Sequence, residues 1–200
     1  MKYYIYISDA KVNMLLPQIP TEVKKKIATE FKIDFKILSA SRKAETQLVE
    51  ENRITRLEAV CEFIREYGNV GSVDQPDEYI FDAARLGMGV TDEREFICFS
   101  GRHEGRTTVI LGGSPKHLVG AEEYGPGTCN YNFNSTLPGI LEYVEKVLRS
   151  KGVEKSATDF LLQNLDQFPS LVAGPRQKFE FLARSLFYDA DCGGGLPVLI

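Results

Sequence analysis

The alternation of apolar and polar residues predicts strands mainly in the first half of the chain. Residues 3–8 separate into two faces of an extended segment, which Asp9 ends. A short apolar run at 35–38 predicts a second strand, and four more extended runs are predicted between 79 and 111. The last two of these, 96–100 and 107–111, lie one loop apart, as in an antiparallel hairpin.

Helical periodicity predicts the remaining elements. Leu57, Val60, Cys61 and Ile64 recur at the spacing of one helix face, and Gly68 is a natural end for that helix. A shorter helix is predicted to begin at Thr21, where Pro20 stops the preceding segment. Breakers separate three later helices, which are predicted at 135–149, 156–168 and 176–187.

These elements predict an α+β fold. A mixed or antiparallel sheet from the N-terminal half is expected to pack with helices, and the C-terminal half is expected to be mainly helical. The length of 200 residues suffices for one sizeable core, so we expect a single domain over 1–200. The final residues, 196–200, are typical of the start of an apolar strand, which predicts that the natural chain continues past Ile200.

Composition excludes several classes of function. The formal net charge of −4 gives no broad basic field of the kind that nucleic-acid binding requires. No apolar run approaches the roughly 20 residues of a membrane span, and the N-terminus does not have the pattern of a signal peptide, so we expect a cytoplasmic protein without membrane contact. The 4 cysteines are irregularly spaced and accompanied by only 2 histidines, which indicates reduced thiols and neither a metal site nor a cofactor.

A glycine-rich segment, 112–117, follows the last predicted strand and precedes a short predicted helix. Glycines let backbone N–H groups approach an anion, and a helix start contributes partial positive charge. Lys116 and His117 would add donors. A simple strand-to-helix connection uses the same residues, and the spacing of known phosphate loops is absent, so both interpretations stay open.

The predicted hairpin loop, 101–106, brings two arginines, a histidine and a carboxylate together. Such a group can recognise an acidic ligand or supply a general acid or base, although a solvated turn has the same composition. These donors would converge with Lys116 if the hairpin folded over the glycine turn. The candidate ligand-binding residues are therefore Gly112, Gly113, Ser114, Lys116, His117, Arg102, His103 and Arg106.

Three segments of the sequence resemble an uncharacterised bacterial family of about 200 residues. They are 3–12, with the letters YYIYISDAKV, 111–114, with LGGS, and 196–200, with LPVLI. The resemblance implies a chain of this length that continues slightly beyond the last strand. It implies no activity and no catalytic residues.

Three hypotheses about function follow. The first is a module that binds or senses a small anionic ligand, a nucleotide or a phosphate, within a bacterial signalling or defence assembly. The second is an enzyme that acts on a phosphate-bearing substrate with His103 or His117 as general acid or base. The third is a domain that binds a protein partner or another copy of itself through the amphipathic segments 135–149 and 176–187.

Overall fold

The protein is described here by a computed structural model, which covers residues 3–31, 46–90, 96–104, 106–120, 137–172, 174–185 and 198–199. The chain divides into two compact units, Met1–Asn69 and Val70–Ile200. The described elements of the first unit are helical, whereas the second unit contains the sheet. The strand predicted at 35–38 lies outside the described residues.

The described residues of the first unit form three α-helices and a 3₁₀ turn, Leu16–Gln18. The α-helices are α1 (Asp9–Leu15), α2 (Thr21–Phe31) and α3 (Thr46–Tyr67). α3 ends at Tyr67, immediately before Gly68, as predicted. The backbone N–H of Gly68 donates to the Ile64 carbonyl oxygen at 2.8 Å and so closes the last turn. The segment before α1 is not the predicted strand. Tyr6 makes only an isolated bridge there.

A bidentate ion pair joins the start of α1 to α3. The Arg53 Nε and Nη2 atoms donate to the two carboxylate oxygens of Asp9 at 2.9 and 2.8 Å. Asp9, which was predicted to end an extended segment, therefore has a structural partner for its carboxylate. Tyr3 and Ile5, which the strand prediction placed on one face, are 83% and 38% exposed.

The second unit is built on a mixed sheet. Its central strand β2 is antiparallel to β3 and β5 and parallel to β1, while β4 is antiparallel to β3 and parallel to β6. The predicted hairpin is therefore confirmed as β3–β4. The strands are β1 (Val70–Gly71), β2 (Tyr79–Val90), β3 (Ile97–His103), β4 (Thr107–Gly113), β5 (Gln177–Arg184) and β6 (Val198–Leu199).

The sheet curls towards one of its two faces. Phe99 of β3 and Phe179 of β5 lie on opposite sides of β2, yet their rings meet edge to face with centroids 5.7 Å apart. In a flat sheet these residues would be about 9.6 Å apart across the strands and about 13 Å apart along them, because their partners Met88 and Ala84 are four positions apart. The ring contact therefore indicates curvature. Ile80, Leu86 and Ile97 on this inner face are buried, whereas Met88 is 37% exposed.

Helices cover part of the outer face. They are α4 (Leu137–Ser150), α5 (Ala157–Asn164) and α6 (Phe168–Leu171). The apolar stripe of α4, which includes Ile140 and Val144, packs in one cluster with Cys98 and Ile110 of the sheet. This burial raises the pKa of the Cys98 thiol well above its usual range, so the thiol stays protonated.

The prediction of a mainly helical C-terminal half is not confirmed. Residues 176–187 were expected to form a helix, but β5 occupies Gln177–Arg184. The reason lies in the period: Phe179, Phe181 and Ala183 are two residues apart, which is the spacing of one strand face. The other face carries Lys178, Glu180 and Arg184, with Leu182 as its apolar exception. The sheet therefore draws on both halves of the chain.

Tyr143 provides a test of core packing. Its hydroxyl donates to the Leu171 carbonyl oxygen at 3.3 Å, and burial raises its pKa from 10.0 to about 12. Because the unfolded state ionises first, the stability associated with Tyr143 is complete below pH 10 and is lost as the pH rises towards 12. Tyr143→Phe should lower the free energy of unfolding by about 1 kcal/mol near neutral pH, and the difference from wild type should shrink above pH 10.

Urea unfolding at several pH values measures this difference. Tyr3→Phe is the control, since Tyr3 is 83% exposed and its replacement should change stability by less than about 0.5 kcal/mol. A Tyr143→Phe difference that stays constant up to pH 12 would contradict the assignment.

Candidate anion-binding site

The hairpin places two neighbouring candidate residues on opposite faces of the sheet. Arg102 and His103 are the last two residues of β3 and not part of a loop. Successive side chains of a strand point to opposite faces, so Arg102 lies on the outer face and His103 on the inner face. Arg106 is exposed in the turn, where its backbone N–H donates to the His103 carbonyl oxygen at 2.9 Å.

The predicted glycine turn does not form. Gly112 and Gly113 belong to β4 and pair with Cys98 and Ile97. The helix that follows is a 3₁₀ turn of 3 residues, Pro115–His117.

The backbone donors of this turn are largely used within it. The His117 N–H donates to the Ser114 carbonyl oxygen at 3.1 Å, and the Leu118 N–H donates to the Pro115 carbonyl oxygen at 3.0 Å. Proline itself has no N–H. The side chain of Lys116 is exposed and that of His117 is 9% exposed. These residues therefore do not present the expected cradle of free amides.

The two groups of candidate residues lie at opposite ends of the hairpin. His103 pairs with Thr107 at one end, and Ile97 pairs with Gly113 at the other. Six residue steps separate these pairs, which corresponds to roughly 20 Å along the strands. The structure therefore does not bring Lys116 to Arg102.

Strand register brings three cations together instead. Arg85 of β2 is directly opposite Arg102 of β3 and also directly opposite Lys178 of β5. Directly opposite residues share a face and have Cβ atoms about 4.5–5.5 Å apart. All three side chains are exposed. We call Arg102, Arg85 and Lys178 the cation row.

Among the described residues, a carboxylate partner is found at only one end of the cation row, at Arg102. Arg102 Nη2 donates to the Asp166 backbone carbonyl oxygen at 2.9 Å and lies 3.7 Å from the Asp166 carboxylate. Arg85 and Lys178 make no side-chain hydrogen bond or ion pair in the part of the chain that the structure describes. Directly opposite like charges are destabilising, and Arg85 has a like charge directly opposite it on both neighbouring strands.

The described neighbours of the cation row on the outer face differ in the two directions along the strands. Towards the helices, the next residues on this face are Gly87 and Ser100, which are buried. Away from the helices, the next pair is Ala83 and Glu180, in which only Glu180 is charged. The small side chain of Ala83 leaves space next to Arg85.

A glycine sets the approach of β3 to β2 at this level. Gly101 pairs with Leu86, and a Cβ atom at Gly101 would collide with the carbonyl oxygen of Arg85. The absence of a side chain at Gly101 therefore permits the close strand contact that aligns Arg102 with Arg85.

His103 belongs to a separate cluster on the inner face. Its Nε2 atom lies 3.3 Å from Asp82 Oδ1, and its Nδ1 atom lies 3.5 Å from Asp74 Oδ1. Nδ1 is shielded from water and makes no hydrogen bond within the described chain. Asp82 also accepts backbone hydrogen bonds from Val73 at 2.9 Å and from Ala83 at 2.7 Å. The cluster therefore ties the segment after β1 to β2 and β3.

Two of the three row residues were missed by sequence reasoning. Arg85 lies in an extended run and Lys178 in a segment predicted as helix, and 93 positions separate them in the chain (178 − 85). The spacing of two in Gln177–Arg184 indicates that Lys178 lies on a strand. No local sequence pattern predicts that this strand pairs with β2.

The repulsion in the cation row can be measured as stability. Arg85→Gln removes the central charge and relieves two like-charge contacts, so it should raise the free energy of unfolding by about 0.2–1 kcal/mol at low salt. The gain should decrease in 0.5 M salt because ions screen exposed charges. Arg149→Gln is the control: Arg149 Nη2 is 2.8 Å from Glu145 Oε1, and loss of this pair should destabilise slightly. A destabilised Arg85→Gln variant at low salt would show that Arg85 is compensated.

The inner cluster predicts a contrast between its two carboxylates. Asp82→Ala leaves the Val73 N–H without its acceptor and removes the carboxylate next to His103 Nε2, so it should cost about 1–3 kcal/mol in unfolding free energy. Asp74 is 55% exposed, and Asp74→Ala should cost less than about 1 kcal/mol. Urea denaturation of both variants measures the difference, and equal losses would contradict the role given to Asp82.

Among the described residues, no three histidine, cysteine or acidic side chains are placed to hold a metal ion. None of the helices in the described ranges is both long and apolar enough to cross a membrane.

Comparison with known proteins yields a family but no activity. No curated protein and no solved structure matches the chain. A family model described as "Family of unknown function (DUF7019)" matches residues 2–200. This extent agrees with the predicted resemblance to an uncharacterised family of about 200 residues. The chain therefore belongs to the DUF7019 family, a family of unknown function.

Proposed function

We propose that the second unit is a binding module for a small phosphate-bearing ligand, which it holds at the cation row. The observation that carries the proposal is the alignment of Arg102, Arg85 and Lys178 directly opposite one another on three neighbouring strands. Arg85 and Lys178 have no partner of opposite charge within the described ranges. A ligand anion would supply that partner.

The energetics favour an anion in this position. Bringing negative charge between the side chains replaces like-charge repulsion with charge-assisted hydrogen bonds, which are about twice as strong as neutral ones. Arginine adds a planar set of donors that matches the oxygens of phosphate. Repulsion among the three cations destabilises the ligand-free protein, whereas a bound anion offsets that repulsion. This difference in free energy contributes to binding.

The size of the row points to a small ligand. The chain as a whole has a net charge of −4, which would repel an extended polyanion such as nucleic acid. Three cations on one sheet face give a local positive field, and the exposed Glu180 bounds it along β5. Nucleotides and phosphorylated metabolites fit this scale. A sensing role in a bacterial signalling or defence assembly stays a prediction.

The other two hypotheses have less support. Both ring nitrogens of His103 face carboxylates on the inner face, away from the cation row, and His117 is 9% exposed at the far end of the hairpin. The apolar stripe of α4 is buried against the sheet and is not exposed to a partner. The segment 176–187, which was the second predicted partner helix, contains the strand β5. A catalytic role or a protein partner therefore stays a prediction.

A thermal-shift titration tests the proposal. Wild-type protein is titrated with inorganic phosphate, pyrophosphate and ATP, and a bound ligand at 100 times its dissociation constant should add about 2.7 kcal/mol to stability. The double variant Arg85→Gln, Lys178→Gln should lose at least ten-fold in affinity because no cation remains at two of the three positions.

Lys116→Gln is the matched control. It also removes one exposed cation, but roughly 20 Å along the strands from the cation row, so binding should be unchanged. The proposal would be wrong if none of the three anions stabilised the wild type, or if the double variant bound them as well as wild type.

A further inference from the structure

We infer that the ligand of the cation row carries at least two linked phosphoryl groups, which lie across the strands. This inference rests on the proposed function and specifies its ligand class. Two observations support it: the cation row runs across three strands, and Arg102 is held by Asp166 whereas Arg85 and Lys178 are not.

The row is longer than one phosphate. Neighbouring strands are about 4.8 Å apart, so the backbones that carry Arg102 and Lys178 are separated by roughly 10 Å. A single phosphate bridges two neighbouring side chains readily. It reaches all three only if the outer side chains both bend towards Arg85.

Arg102 is restrained from bending in that way. Its Nη2 atom donates to the Asp166 backbone carbonyl oxygen at 2.9 Å and also lies near the Asp166 carboxylate. These contacts hold its guanidinium towards the turn Leu165–Gln167, at one end of the row. The side chain of Arg102 is still 42% exposed, so an anion is able to approach its guanidinium from solvent.

The opposite end of the row has a different character. Arg85 and Lys178 are directly opposite each other and have no ion pair among the described residues, so both are able to turn towards one anion. They form one phosphate position and Arg102 forms a second. A diphosphate or triphosphate group fills both positions at once, whereas monophosphate fills only the first.

The covalent link between two phosphoryl groups also increases their affinity for the row. Once one phosphoryl group is bound by Arg85 and Lys178, the second meets Arg102 at a high effective concentration. Diphosphate-bearing ligands should therefore bind more tightly than inorganic phosphate by ten-fold or more. The extra affinity should depend on Arg102 specifically.

Isothermal titration calorimetry with inorganic phosphate, pyrophosphate and tripolyphosphate tests the inference at fixed ionic strength. Wild type should bind pyrophosphate at least ten-fold more tightly than phosphate. Arg102→Gln should reduce pyrophosphate affinity to the level of phosphate and leave phosphate binding within about two-fold of wild type, because the site at Arg85 and Lys178 is intact.

Arg106→Gln is the control, since Arg106 is an exposed arginine at the hairpin turn outside the row, and it should change neither affinity. Equal affinities of phosphate and pyrophosphate, or equal losses of both in Arg102→Gln, would overturn the inference while the proposed function stands. Absence of binding by any of the three anions would overturn both.

Discussion

The register of β2 against its two antiparallel neighbours is the constraint on which the second unit depends. At Leu86 the strand pairs with Gly101 on one side and Gln177 on the other, and at Arg85 it pairs with Arg102 and Lys178. These pairings join segments from residues 79 to 184 into one sheet. The curl of the sheet, the inner-face core and the outer-face charges all follow from this alignment.

The same register explains which features the sequence predicted. Local patterns sufficed for the β3–β4 hairpin, because strand, turn and strand follow one another within 17 residues (Ile97 to Gly113). The helix α4 was also predicted, since its apolar stripe repeats at helical spacing. Only Arg102 of the cation row could be chosen from sequence, and for the wrong reason: it lies on a strand and not in a loop.

The failures have two physical causes. At Gln177–Arg184 the apolar residues have a period of two, but the segment is predicted as a helix with a period of 3.6. Lys178 is therefore not among the predicted site residues. At 112–117 the composition is that of an anion-binding turn, but Gly112 and Gly113 pair within the strand and the His117 amide donates inside the 3₁₀ turn. Composition indicates what residues are able to do, whereas hydrogen-bond accounting decides whether their donors remain available.

The placement of Arg102 and His103 limits how this part of the chain can vary over evolution. A shift of β3 by one residue would exchange the two side chains, moving an arginine into the buried inner face and an imidazole onto the outer one. Both clusters would be lost together. Insertions and deletions within β3 should therefore be selected against, whereas the turn at 104–106 can change length without altering either face. The variable part of the hairpin would be its tip, and its fixed part the two residues before it.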